Sequence, residues 1–110
     1  MKYYRIVEVD DKGNYKTLFH ANKGSRILET GKWLKSVQKL VRDGSRKKAK
    51  QYLSGWHIIP GEKEVTERFM NSFFKAPRML KIVEVKIRGK RWPKSHSRHN
   101  ILLCEEMKIL

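Results

Sequence analysis

Residues 79–110 read MLKIVEVKIRGKRWPKSHSRHNILLCEEMKIL. In Met79 to Ile87, Val83, Val85 and Ile87 alternate with Glu84, Lys86 and Arg88. That is the period of two expected of a strand with one buried face. Ile101 to Leu110 repeats the pattern, with Ile101, Leu103, Met107 and Ile109 set against Glu106 and Lys108. Between these runs lies a basic arm, Lys86 to Asn100, with Lys86, Arg88, Lys90, Arg91, Lys94 and Arg98, no acid, Trp92, His96 and His99. Two strands flanking such an arm predict a sheet that presents it as a loop to a polyanion.

Upstream, Glu62 to Phe74 carries Val65, Phe69 and Phe73 at helical spacing, with Met70 and Phe74 beside them. Glu62, Glu64 and Glu67 in its first turns suit the positive end of a helix dipole, and Ala76-Pro77 ends the helix. Ser54 to Gly61 (SGWHIIPG) reads as a short buried strand between turn formers. Trp33, Leu34, Val37, Leu40 and Val41 follow helical spacing from Lys32 until Asp43-Gly44, which predicts another helix. Ser45 to Leu53 fits either a short helix capped by Ser45 or a basic loop entering a strand. At the N-terminus, Tyr3 to Val9 and Tyr15 to Ala21 are β-branched and aromatic runs joined by Asp10-Asp11-Lys12-Gly13-Asn14, a β-hairpin pattern. The sum predicts an α+β fold, a mainly antiparallel sheet with two helices packed on one face, in a single domain spanning residues 1–110.

Charge narrows the partner class. The 110 residues hold 26 Lys+Arg against 11 Asp+Glu, a net charge of +15. Apolar runs recur along the whole chain, so this is a folded domain with a basic surface rather than a disordered tail. Residues 23–53 alone carry ten Lys/Arg against Glu29 and Asp43. Such a surplus suits nucleic acid, because each phosphate neutralised releases counterions. No apolar run approaches the ~20 residues that span a bilayer, and a cytoplasmic protein without membrane contact is expected. Cys104 is the only cysteine. It sits in an apolar run, as a small core residue does, and no disulfide can form within the chain.

No phosphate-cradling glycine loop, zinc or calcium signature or nucleophile elbow is present, and no cofactor or metal is expected. The expected nucleic-acid contacts are Arg88, Lys90, Arg91, Lys94 and Arg98, with His96, and Arg46, Lys47 and Lys48 from the upstream basic segment. Trp92, between Arg91 and Pro93, is either a base-stacking platform or a cap folded back on the core. Trp33 and Trp56 lie in periodic apolar segments and are expected in the core. Tyr3 and Tyr4 stand on opposite faces of the first strand, so one of them must be exposed or at an interface. His57 is expected to be structural. His96 or His99, with Arg98 and Glu105 or Glu106, would be the parts of a small ribonuclease. In size, charge and α+β content this looks like the small ribosome-dependent endonuclease toxins.

The run Tyr52-Leu53-Ser54-Gly55-Trp56-His57-Ile58-Ile59, followed by a helix and then by KIVEVKIRG and HSRHNILLCEEMKI, resembles small uncharacterised basic proteins encoded by phages and prophages. The resemblance implies an accessory viral protein acting in bacterial cytoplasm, one that binds nucleic acid or blunts a host defence complex. The leading expectation is a non-enzymatic nucleic-acid-binding protein. The alternatives are a phage-type inhibitor docking on a host protein or nucleoprotein, and the small ribonuclease.

Overall fold

The computed structural model describes residues 1–17, 27–38, 40–42, 51–73, 79–94 and 100–110. Its elements are β1 (Tyr3–Val9), β2 (Tyr15–Lys16), β3 (Ile27–Leu28), β4 (Trp33–Lys35), β5 (Leu40–Arg42), β6 (Gln51–Leu53), β7 (Trp56–Pro60), α1 (Lys63–Phe73), β8 (Leu80–Pro93) and β9 (Leu102–Ile109). Among the described residues this is a small, mostly antiparallel β fold with one short helix. The expected α+β arrangement with two helices is therefore wrong.

Four strands close a ring, each pairing antiparallel with the next. β1 runs beside β8 from Tyr3↔Val85 to Glu8↔Leu80. β8 pairs with β9 through Val85↔Ile109 and Ile87↔Met107. β9 pairs with β7 through Trp56↔Cys104 and Ile58↔Leu102, and β7 returns to β1 at Tyr4↔Ile59. Val7, Trp56, Ile58, Val83, Val85, Cys104, Met107 and Ile109 fill the inside, with Leu28 among them. Outside, Ile6 and Ile59 meet Phe69 and Met70 of α1, together with Leu80 and Ile82. β1 is thus buried on both faces, which is why its sequence is a nearly unbroken apolar run rather than a clean alternation. Tyr4 is buried and Tyr3 half-buried against the inner core.

The opening hairpin is present, in the register Glu8↔Lys16 and Val9↔Tyr15. The Asp10 carboxylate accepts the amides of Lys12 at 2.9 Å and Asn14 at 2.8 Å. Gly13 turns the chain at a φ of 81°. The second run of the hairpin beyond Thr17 lies outside the described residues.

The helix expected from Lys32 to Asp43 is instead two strands. β4 pairs with β9 through Trp33↔Lys108 and Leu34↔Met107, and β5 pairs with β6 through Leu40↔Leu53. Val37 and Leu40 are 70% and 66% exposed, so the helical spacing has no buried face to serve. β9 has an edge free beyond the end of β7, and β4 takes its hydrogen bonds; that tertiary demand overrides local spacing. The α1 helix forms where expected, but its buried face is Thr66, Phe69 and Met70, while Val65 is 40% exposed. Between Cys104 and Met107 the alternation on β9 slips by one, because Leu102, Cys104, Met107 and Ile109 all face the inner core. Leu103, expected on that face, lies opposite His57 and Trp92 instead, and is fully buried there. No described helix is long and apolar enough to cross a membrane.

The indole of Trp56 ties β4 to the ring, donating from Nε1 to the carbonyl of Leu34 at 2.8 Å. Trp56→Phe removes that tie and leaves part of the indole's volume in the core empty. It should cost about 1–3 kcal/mol of unfolding free energy, measured by denaturant titration.

Candidate nucleic-acid interface

The basic arm is not a loop along its first half. β8 continues to Pro93, so Arg88, Lys90, Arg91 and Trp92 are held on a strand paired with β9. A bulge between Arg88 and Arg91 shifts the register. Gly89 makes it possible, at a φ of 81°, where a Cβ would meet Glu105 Oε2 at 2.8 Å. The Lys90 amide then donates to that carboxylate oxygen at 3.1 Å. Two residues of β8, Gly89 and Lys90, thus oppose Glu105 alone, and it is β9 whose alternation slips there, with Cys104 and Met107 both facing inward.

Register places two rows of side chains across the outer face. Lys86 of β8 lies opposite Lys108 of β9, and Lys108 opposite Trp33 of β4. Arg88 lies opposite Glu106, and Glu106 opposite Lys35. The Arg88 guanidinium makes a bidentate pair with Glu106, at 3.1 Å from Nε and 3.2 Å from Nη2. It also lies 4.2 Å from the centre of the Trp33 ring, and Lys108 Nζ lies 5.0 Å from it. Trp33 therefore leans across β9 as a half-buried platform for cations, rather than sitting in the core as expected. Arg88, with neighbouring Lys35, holds the Glu106 carboxyl below its ordinary 4.5.

Beyond the bulge a second aromatic group forms. Trp92, Leu103 and His57 stand in one row across β8, β9 and β7. Trp92 Nε1 donates to the Leu53 carbonyl at 3.0 Å, and its ring covers Gly55. Trp92 thus takes the folded-back placement of the two open to it. Tyr52 meets His57 edge to face at 5.6 Å, and Lys94 Nζ lies 4.8 Å from the Tyr52 ring centre.

The expected contact residues do not share one surface. Arg88 is outward and already paired with an acid. Arg91 pairs with Cys104, on the inner face, and its Nη1 lies 3.5 Å from the Tyr3 hydroxyl. Lys94 sits with Tyr52. His96, Arg98, His99, Arg46, Lys47 and Lys48 lie outside the described residues. Trp33, Lys35 and Lys108 were not anticipated; Lys108 was legible as an outward residue of the last strand, but the helical spacing hid Trp33 and Lys35. Lys35, from the upstream basic segment, shares a face with Lys86 and Arg88. Comparison with protein-family models, with curated proteins and with solved structures finds no match.

Two measurements check this geometry. A Cβ on Gly55 would meet the Trp92 ring at 2.9 Å and the Cys104 carbonyl at 3.0 Å. Gly55→Ala should therefore destabilise the fold by about 1–3 kcal/mol in denaturant titration, as overpacking does. By NMR titration, the Glu106 carboxyl should show a midpoint below 4.5 that rises toward it in Arg88→Met. With a depressed folded pKa, the pair stabilises above the unfolded value and is lost as pH falls through the folded one.

Proposed function

We propose that the protein binds nucleic acid, without altering it chemically, through the outer face of β8, β9 and β4. The observation that carries this is the row Lys86, Lys108 and Trp33, beside Arg88 and Lys35. Like charges directly opposite on neighbouring strands destabilise a sheet, and Glu106 is the one acid within the two rows. A polyanion relieves that repulsion and releases its counterions. Lys86 and Lys35 are exposed, so phosphates can reach them. The net charge of +15 extends the attraction over the rest of the surface.

The test is a binding titration against single- and double-stranded DNA and RNA at two salt concentrations. Binding should weaken steeply with salt. Lys86→Ala and Lys108→Ala should each weaken it for every sequence and lower the log–log salt slope by up to about 0.9 on duplex. Glu106→Gln should strengthen it, by freeing Arg88 and removing a negative charge. Absence of salt-sensitive binding, or binding unchanged in the Lys86→Ala, Lys108→Ala double variant, would contradict the assignment.

A further inference from the structure

Arg5 is the one arginine of β1, and it points into the ring. It lies opposite Val83, whose side chain is in the inner core, and is only 8% exposed. Its Nη1 donates to the His57 carbonyl at 3.0 Å, and its guanidinium lies 5.3 Å from the centre of the Trp56 ring. Its Nε is buried without a hydrogen-bond partner. None of the described carboxylates pairs with it. Burial drives its pKa down to about 10, opposed by Cys104, so it is still charged at neutral pH.

A buried cation lacking both an anion and part of its hydrogen bonding costs several kcal/mol, and an unsatisfied buried donor calls for an explanation such as a bound ion. A second arginine adds to the positive charge on the inner face. Arg91 stands opposite Cys104 on the inner face, as Trp56 does from the other side. Arg5 and Arg91 both act electrostatically on the Cys104 thiol. Arg91 also reaches the hydroxyl of Tyr3, which lies two residues before Arg5 on the same face of β1. Arg91 is exposed and Tyr3 half-buried, so this end of the ring opens to solvent. Two guanidinium groups that both act on Cys104, and a phenol hydroxyl in reach of one of them, thus lie on the inner face, and none of the described acids is paired with Arg5 or Arg91.

We propose that the mouth formed by Arg5, Arg91 and Tyr3 binds a phosphoryl group. Planar N–H forks match the several oxygens of a phosphate, and the hydroxyl supplies a further donor. The site faces the inside of the ring and is separate from the outer Lys86–Lys108–Trp33 row. It does not depend on nucleic acid binding there. The phosphoryl group belongs either to free phosphate or to a nucleic-acid strand.

The experiment follows the side-chain Nε–H signals of Arg5 and Arg91 by NMR, at constant ionic strength, during titration with inorganic phosphate against a chloride control. Parallel titrations use one oligonucleotide with and without a 5′-phosphate. A saturable shift of Arg5 with inorganic phosphate alone supports the site and assigns free phosphate. A shift that requires the 5′-phosphate supports it and assigns a strand end, and one seen with both oligonucleotides assigns an internal phosphodiester. Arg91→Met, an exposed substitution that leaves the core intact, should weaken the Arg5 response at least tenfold, and Lys86→Met should not. No saturable Arg5 shift in any titration, or an undiminished one in Arg91→Met, overturns the proposal. Oligonucleotide binding that responds to Lys86 and Lys108, with Arg5 unmoved by every oligonucleotide and by inorganic phosphate, would sink this site alone.

Discussion

Backbone hydrogen bonding along both edges of β9 is the constraint from which the rest of the fold follows. A buried strand cannot leave N–H and C=O groups unpaired. β8 covers one edge of β9 along most of its length. No single strand covers the other: β7 takes Leu102 to Cys104, and β4 takes Glu106 to Lys108. Because β8 and β7 also both pair with β1, satisfying β9 closes the ring. The apolar side chains then have one interior to fill, and α1 covers a second, smaller patch outside.

Closure also sorts the charge. The apolar stretch of the interior holds no lysine, and Lys86, Arg88 and Lys108 lie on the outer face, where cross-strand register sets Lys86 against Lys108. Glu106 relieves part of this by holding Arg88, and Trp33 takes up cations from above. Arg5 escapes the sorting. It lies inside, against Trp56, with Arg91 at the nearby mouth. The molecule thus holds positive charge in two environments: a solvated outer face, and the ring interior at Arg5.

The strands around Val83–Ile87 and Ile58–Ile59, the opening hairpin and the α1 helix were legible, because each carries its period within a few consecutive residues. What failed depended on distant partners. Trp33 and Leu34 open a run of helical spacing, yet the edge of β9 some seventy residues later makes them a strand. The bulge at Gly89 was invisible as well: its cause is the Glu105 carboxylate across the sheet. Arg88 and Arg91, three apart in sequence, face opposite sides of β8 by ordinary strand alternation, and the bulge lets inward Arg91 still meet inward Cys104. The basic arm was therefore legible as a charge excess but not as a surface. Lys35 and Trp33 join that surface only through the β4–β9 pairing.

Mapping backbone amide shifts during titration with a short oligonucleotide would test most directly where the polyanion sits. Perturbations should concentrate at Trp33, Lys35, Lys86, Arg88 and Lys108, and fade as salt is raised. Perturbations confined to α1 and the β1–β2 hairpin, or none at all, would contradict the assignment of the outer β8–β9–β4 face.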